Sequence, residues 1–292
     1  MKIAVSMIVF NGNYVLNECL SSIYPYVDQI LIAEGPVYYW QNQGFTTSTD
    51  GTNDVLHNFP DPQNKIKITH GQFKEKDDQC NAAIQGLKDD NDYIWNLDCD
   101  EVFKPEHVEK LLKILDKDKY TSVGFKSKTY YGGFDHILAG FEWAHEFMRI
   151  RKIYPGSTWL THRPPTMKHV VKPWKDKHLG HEFLYDKHGI CMYHYSYVFP
   201  NQVQEKVSYY KAAVSKDNCI DDYFRSIYLP WVTEPFIREG LEKAYNGVHE
   251  FKPEYRGSCF TDTSNDHPPI IRKNMSTLKK KFNDQLQKFM ER

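Results

Sequence analysis

Residues Tyr93 to Phe103 read YIWNLDCDEVF. A short, largely apolar run ends at Leu97, and the chain then turns acidic at Asp98, Asp100 and Glu101. Such a run suits a strand buried on both faces of a sheet. In open α/β sheets, ligands bind beyond the carboxyl ends of the strands, and the acidic residues stand at such an end. Alternation along an extended chain points Asp98 and Asp100 the same way. Two carboxylates side by side raise each other's pKa unless a cation lies between them. A hard divalent ion with oxygen ligands, Mg²⁺ or Mn²⁺, fits that arrangement, and a diphosphate would complete its shell. The plain alternative is a polar turn that caps the next helix.

Upstream, Ile3 to Phe10 (IAVSMIVF) is a second buried strand, bounded by Asn11-Gly12-Asn13. Val15, Leu16, Cys19, Leu20 and Ile23 recur at helical spacing, and Pro25 closes that helix. Gln29 to Ala33 is another strand, followed by a long loop from Gly35 to Asp50 rich in Tyr, Trp, Gln and Thr. Loops of that length in compact folds are usually functional. Ser48 to Thr52 reads as a helix start with Asp or Thr as its cap. Lys65–Thr69 reads as a strand, Asp77–Leu87 as a helix, and Pro105–Leu115 as a helix with proline in its first turn. This βαβα alternation predicts a mostly parallel, three-layer sheet with right-handed crossovers.

Beyond residue 120 the pattern changes. Ser122–Tyr131, Phe147–Tyr154 and Ile190–Tyr197 read as strands, while Pro200–Ser215 and Cys219–Tyr245 read as helices. From Ser276 to Arg292, Leu278, Phe282, Leu286 and Phe289 share one face of an amphipathic helix. Its basic flank, Lys279 to Lys281, permits peripheral membrane contact, although a capping helix with a solvated face is the simpler reading.

The chain has 292 residues, a formal charge of -1 and 26 % charged residues, which is globular composition without the basic footprint of a nucleic-acid binder. The six cysteines show no CxxC spacing. They read as free thiols of a soluble, cytoplasmic chain, and no stretch reaches transmembrane length.

Taken together, three stretches resemble the GT-A-fold glycosyltransferases, above all the inverting, family-2-like group. They are SMIVFNGNYVLNECLSSIYPYVDQILIAEG (6–35), STDGT (48–52), and DDQCNAAIQG (77–86) with DYIWNLDCDEVF (92–103). A looser match continues at His194-Tyr195-Ser196-Tyr197 and Lys206. The resemblance implies a GT-A sheet with a helical C-terminal extension. It implies a catalytic domain over 1–215, with a nucleotide-sugar half (1–115) and an acceptor half (116–215), and an extension over 216–292.

The implied activity is metal-dependent transfer from a nucleoside-diphosphate sugar, a UDP- or GDP-sugar, to a glycan, lipid-linked or protein-linked acceptor. Ser6 to Ile8 would line the nucleoside pocket, and Glu34 would contact base or ribose. Asp98 would face ribose or metal, Asp100 and His194 would bind the metal, and Lys206 would contact the diphosphate. Imidazole favours Mn²⁺ over Mg²⁺.

Three departures from the family pattern matter. About a dozen extra residues separate Glu34 from STDGT. Cys80 stands where the family has Arg, so Lys74, Lys76 or Gln79 is expected to compensate. The expected carboxylate base is not in its usual place: His162 aligns best there, followed by Arg163.

Inverting transfer needs one general base to deprotonate the acceptor hydroxyl. Glu182 and Glu146, in the two His-Glu pairs, rank first, with His162 as an acceptor-binding residue. Tyr131 and Trp143 are candidates for an acceptor-sugar platform, because flat aromatic faces cover a pyranose. Two other function classes stay open, a nucleotidyltransferase and a non-catalytic nucleotide-sugar or glycan-binding module.

Overall fold

A computed structural model describes residues 1–118, 120–163, 165–168, 176–213, 222–245, 259–261 and 265–291. Along the chain lie β1 (Ile3–Val9), α1 (Leu16–Ile23), β2 (Gln29–Glu34), α2 (Tyr38–Gln41), α3 (Thr52–Asn58), β3 (Ile66–His70), α4 (Lys76–Ala83), β4 (Tyr93–Asn96), β5 (Glu101–Val102) and α5 (Pro105–Asp118). There follow β6 (Ser122–Phe125), β7 (Ser127–Tyr131), β8 (His136–Leu138), α6 (Phe141–Ala144), β9 (Phe147–Lys152), β10 (Thr158–His162), β11 (Pro165–Lys168), β12 (His178–Leu179) and α7 (His181–His188). The last elements are β13 (Met192–Tyr197), α8 (Pro200–Ala213), α9 (Leu229–Thr233), α10 (Arg238–Ala244), β14 (Cys259–Thr261) and α11 (Pro269–Met290).

Two compact units form, one from Met1–Lys126 with Glu146–Cys191 and the other from Ser127–His145 with Met192–Arg292. The first unit is built on a seven-stranded sheet in the order β12-β6-β9-β4-β1-β2-β3. β4, β1, β2 and β3 run parallel, as the βα alternation predicts. β9 enters between β4 and β6, antiparallel to both. β1 and β2 are buried almost throughout, which explains their unbroken apolar sequences.

On one face of this sheet, α4 brings Cys80 and Ile84 against Ile94, Ile153, Trp159 and Met167, with Ile8 beside them. On the other, Trp95 packs against Phe103 and Phe125 at ring separations of 4.8 and 5.9 Å. Gly35 has a φ of +143°, and a Cβ there would lie 1.8 Å from Gly71 O. Only glycine lets the ends of β2 and β3 come this close.

The second unit orders β14-β8-β7-β13 in its sheet, with β7 and β13 parallel. Its core is aromatic: Tyr131, Tyr197, Tyr223, Phe224, Tyr228 and Trp231 are all buried together. α11 buries Leu278 and sets Phe289 edge-on to Phe224 at 4.8 Å, so part of its apolar face covers this core.

The structure departs from the sequence reading in several places. The strand expected over Ser122–Tyr131 divides at Lys126: β6 joins the first sheet and β7 the second. The long loop carries the short helix α2. The cap of α3 is Gly51, at φ +88°, while Asp50 Oδ1 accepts the Thr52 N–H at 3.0 Å from one position further out. The region read as helical to Tyr245 consists, from residue 222, of a π-helical turn (Phe224–Tyr228), α9, a 3₁₀ turn and α10. Residues 214, 215, 219–221 and 292 of the expected helices lie outside the described residues. The described cysteines are free, and no described helix is long and apolar enough to cross a membrane.

Candidate functional site

β4, the middle strand of seven, delivers the acidic residues to the carboxyl edge of the sheet. The Leu97 N–H donates to Ser6 O at 3.0 Å, carrying the β1–β4 ladder one residue past the strand. The chain then turns: the Glu101 N–H donates to Asp98 O at 3.1 Å, and the Asp98 N–H to Glu101 Oε2 at 3.3 Å. The loop after β1 presses on this turn. A Cβ at Gly12 would fall 2.7 Å from Cys99 Sγ and 2.5 Å from Val9 Cγ2, so a larger residue would force them apart. The Cys19 thiol donates to Asp98 O at 3.4 Å. Burial pushes the Cys19 and Cys99 thiols well above their usual value, and neighbouring acidic groups add to the rise. Neither offers a reactive thiolate.

Two guanidinium groups meet the carboxylates. Arg149, on β9 and 3 % exposed, donates Nε to both oxygens of the fully buried Glu101 at 2.9 Å. Its Nη2 also bonds Glu101 Oε1 and lies 3.5 Å from Asp98 Oδ2. Arg163, just past β10, sets Nη2 on Asp98 Oδ2 and donates Nη1 to His162 O at 2.7 Å. Two of the turn's three carboxylates, Asp98 and Glu101, thus face two fixed positive charges.

The β10–β11 hairpin that presents Arg163 is fastened to α4. Asn81 accepts the Trp159 N–H at 2.8 Å and donates to Trp159 O at 3.0 Å. Asp77 Oδ1 accepts both the backbone N–H and the Nδ1 of His162, at 2.7 and 2.6 Å. Burial lowers the His162 imidazole below its usual value; the Asp77 hydrogen bond opposes that shift, while Arg163 and Lys76 add to it. Burial also lifts the Cys80 thiol to about 12, with the Arg163 charge pulling the other way. Arg163 therefore supplies a positive charge near Cys80 and on Asp98, a role the sequence reading gave to Lys74 or Lys76. Gln79 serves differently: its Nε2 donates to Val9 O, Ala33 O and Gly35 O at 3.0 to 3.3 Å and straps the ends of β1 and β2.

Glu34, at the end of β2, is 1 % exposed. Its carboxylate accepts the Ser48 N–H at 2.9 Å, Thr47 Oγ1 at 3.2 Å and His70 Nδ1 at 3.0 Å. Burial raises its pKa, but the bonds from His70, Ser48 and Thr47 outweigh burial and leave it below the usual range. Glu34 thus anchors the start of STDGT. Ser6 and Asn96 are register partners on β1 and β4, and both bury a side-chain polar atom, Oγ and Nδ2, without a partner among the described residues. Ile8 packs on the α4 face of the same sheet.

The other expected residues lie elsewhere in the fold. Glu146 precedes β9, and its Oε1 accepts His178 Nε2, the His181 N–H and His181 Nδ1 at 2.9, 2.9 and 3.2 Å. Burial raises the Glu146 pKa, but bonds from His181 and His178 pull it below its usual value. Glu182 is an exposed residue in the first turn of α7.

In the second unit, His194 is buried on β13. Lys206 on α8 bonds Ser196 Oγ and lies 4.3 Å from the centre of the Tyr197 ring. Trp143 is half-buried on α6. Tyr131 corrects the platform reading: it is a core residue with no exposed surface, its hydroxyl 3.0 Å from that of Tyr223 and its ring edge-on to Trp231.

The donor chemistry of the first unit suits a hard divalent cation. Oxygens of Asp98 and Glu101 lie within 4.8 Å of one another, Asp98 keeps 26 % of its side chain exposed, and Asp100 is partly exposed. Arg149 and Arg163 were not anticipated from the sequence.

A family described as Glycosyl transferase family 2 has a model that matches residues 46–174. No curated protein matches the chain. Among solved structures, S. aureus TarS 1-349 is similar at 16 % identity and a TM-score of 0.34, over 44 % of this chain and 36 % of TarS. The same protein in complex with UDP-GlcNAc gives 16 % and 0.35 over 46 % and 36 %. The 4-diphosphocytidyl-2C-methyl-D-erythritol synthase of Anaerococcus prevotii DSM 20548 gives 11 % and 0.31 over 52 % and 70 %. The chain spans little more than a third of the TarS 1-349 chain, and likenesses this small carry no argument. The stretch from residue 46 to 174 holds STDGT, α4, the acidic turn, Arg149 and the β10–β11 hairpin, and through it the chain resembles glycosyl transferase family 2.

Proposed function

We propose that this chain transfers a sugar from a UDP- or GDP-sugar to a hydroxyl of a glycan, lipid-linked or protein-linked acceptor in the cytoplasm, by direct displacement with inversion. The observation that carries the reading is the match to family 2 across an acidic turn that ends the central strand of a mostly parallel sheet. Ligands of open α/β sheets bind at that edge. In this reading, residues 1–215 form the catalytic domain and 216–292 an extension.

Ser6 and Ile8 line the nucleoside pocket. Glu34 shapes the pocket's loop through Thr47 and Ser48, and Gln79 holds the strand ends apart at a fixed width. Asp98 and Asp100 hold Mn²⁺ or Mg²⁺. A divalent cation bound there supplies positive charge against the departing diphosphate. Arg149 keeps Glu101 neutralised, so the turn retains its shape whether or not donor is bound.

The test is thermal stability with UDP or GDP, with and without Mn²⁺. At a hundredfold excess over Kd, a ligand that binds only the folded chain adds about 2.7 kcal/mol. We expect metal-dependent stabilisation by at least one diphosphate, lost in Asp100→Ala. Stabilisation by neither diphosphate, or stabilisation indifferent to Asp100, would overturn the reading.

A further inference from the structure

We propose that His162, held by Asp77, is the general base that takes the proton from the acceptor hydroxyl. The assignment rests on the transfer reading above but uses different residues. Of the two glutamates first considered, Glu146 is occupied by His178 and His181, and Glu182 is exposed on α7.

His162 has the arrangement a base needs. An ionised carboxylate only accepts, so the 2.6 Å contact with Asp77 Oδ1 places the imidazole proton on Nδ1. The lone pair then lies on Nε2, which no described residue bonds. The side chain keeps 22 % of its surface exposed, so that nitrogen is not sealed in. The next residue, Arg163, sits on Asp98, which puts the dyad beside the acidic turn and not on a remote face. The charged groups acting on the ring are Asp77 and Lys76 from α4 and Arg163 from the hairpin. Burial with the two cations favours the neutral ring, the form able to accept a proton.

The step balances. The acceptor oxygen bonds to the anomeric carbon as its proton moves to His162 Nε2. The bond from the anomeric carbon to the phosphate oxygen breaks, and the nucleoside diphosphate leaves with that electron pair. Asp77 stabilises the imidazolium, which afterwards returns its proton to solvent.

The experiment measures nucleoside diphosphate release from a panel of UDP- and GDP-sugars with Mn²⁺ as a function of pH. Alongside it, UDP and GDP binding is followed by calorimetry and folding by melting temperature. General-base removal costs on the order of 10² to 10⁴ in rate. His162→Gln should lose at least about a hundredfold in kcat with little change in diphosphate Kd, and the inflection on the acid limb of the profile should disappear. Asp77→Asn should lose less and move that inflection. Imidazole added to His162→Gly should restore part of the rate, which a purely structural role would not allow.

Wild-type kcat in His162→Gln overturns the base assignment alone. So does a parallel loss of binding and rate, or a wild type that binds diphosphate without releasing it from any donor. Absence of diphosphate binding by the wild type overturns the donor-site reading, and the base assignment falls with it.

Discussion

Two glutamate clusters of the first unit, one around the buried Glu101 and one around the half-buried Glu146, solve the problem of their charge differently. Glu101 has no exposed surface and faces Arg149, a guanidinium that also reaches Asp98. Glu146 keeps 29 % of its side chain exposed and concentrates three contacts on one oxygen, from two imidazoles and the first N–H of α7. A guanidinium stays charged at every pH a protein survives. The Glu101 cluster is therefore a permanent ion pair that fixes the shape of the acidic turn. The Glu146 cluster is a clasp between the start of β9, β12 and α7, whose bonds hold the carboxyl below its usual pKa. Substitutions that remove one partner should separate the two kinds.

The largest effect belongs to Glu101→Ala. It leaves Arg149, 3 % exposed, without its carboxylate, and breaking a buried pair from one side costs about 3–5 kcal/mol. Urea unfolding measures it directly. A loss below about 1 kcal/mol, the range of exposed pairs, would show that water reaches Arg149 and that the pair is not truly buried.

Glu146→Ala comes next. It removes an acceptor for the first N–H of α7 and for both imidazoles, worth about 1–2 kcal/mol in all. Its pH dependence is the sharper test. The folded state holds the Glu146 carboxyl below its usual pKa, so the stabilisation is present above the ordinary carboxylate range and is lost as pH falls through the folded value. The stability gap between wild type and Glu146→Gln should accordingly be open near neutrality and close in acid. A gap that stays constant with pH would mean that hydrogen-bond geometry, not charge, holds the clasp.

These clusters also mark how far the sequence could be read. β1, β2 and β4 were legible because strands buried on both faces must be apolar throughout, and the acidic turn was legible because it breaks such a run. The partners were not. Glu101 and Arg149 lie 48 residues apart, and within FMRIRK nothing distinguishes Arg149 from Arg151 as the one that turns towards a carboxylate. His162 and Asp77 lie 85 apart, and each looks unremarkable in its own segment. Gln79 and Glu34 were recognised as special positions, but composition cannot tell a polar side chain that meets a ligand from one that straps strand ends or anchors a loop. Tyr131 is a platform candidate by residue type alone, since composition cannot tell a ring that meets a sugar from one the strand buries.

The smallest change in stability is expected for Arg163→Ala, and it tests where the Glu101 cluster shades into a functional site. The Arg163 side chain is 33 % exposed and Asp98 26 %, so water screens the pair, and Arg149 still lies 3.5 Å from Asp98 Oδ2 when Arg163 is gone. Exposed pairs of this kind contribute about 0–1 kcal/mol, and the melting temperature should barely move. Cation affinity should respond more. Arg163 competes with any cation for Asp98, and removing about 1 kcal/mol of competing attraction corresponds to roughly fivefold tighter binding of Mn²⁺ alone. Calorimetry with Mn²⁺ and no nucleotide reads this without any reaction. If Arg163→Ala weakens Mn²⁺ binding, the guanidinium organises Asp98 for the cation, and Arg163 belongs with Arg149 as part of the permanent scaffold. If binding tightens while stability holds, Asp98 is shared between a structural ion pair and an exchangeable one, and the division between scaffold and site runs between its two arginine partners.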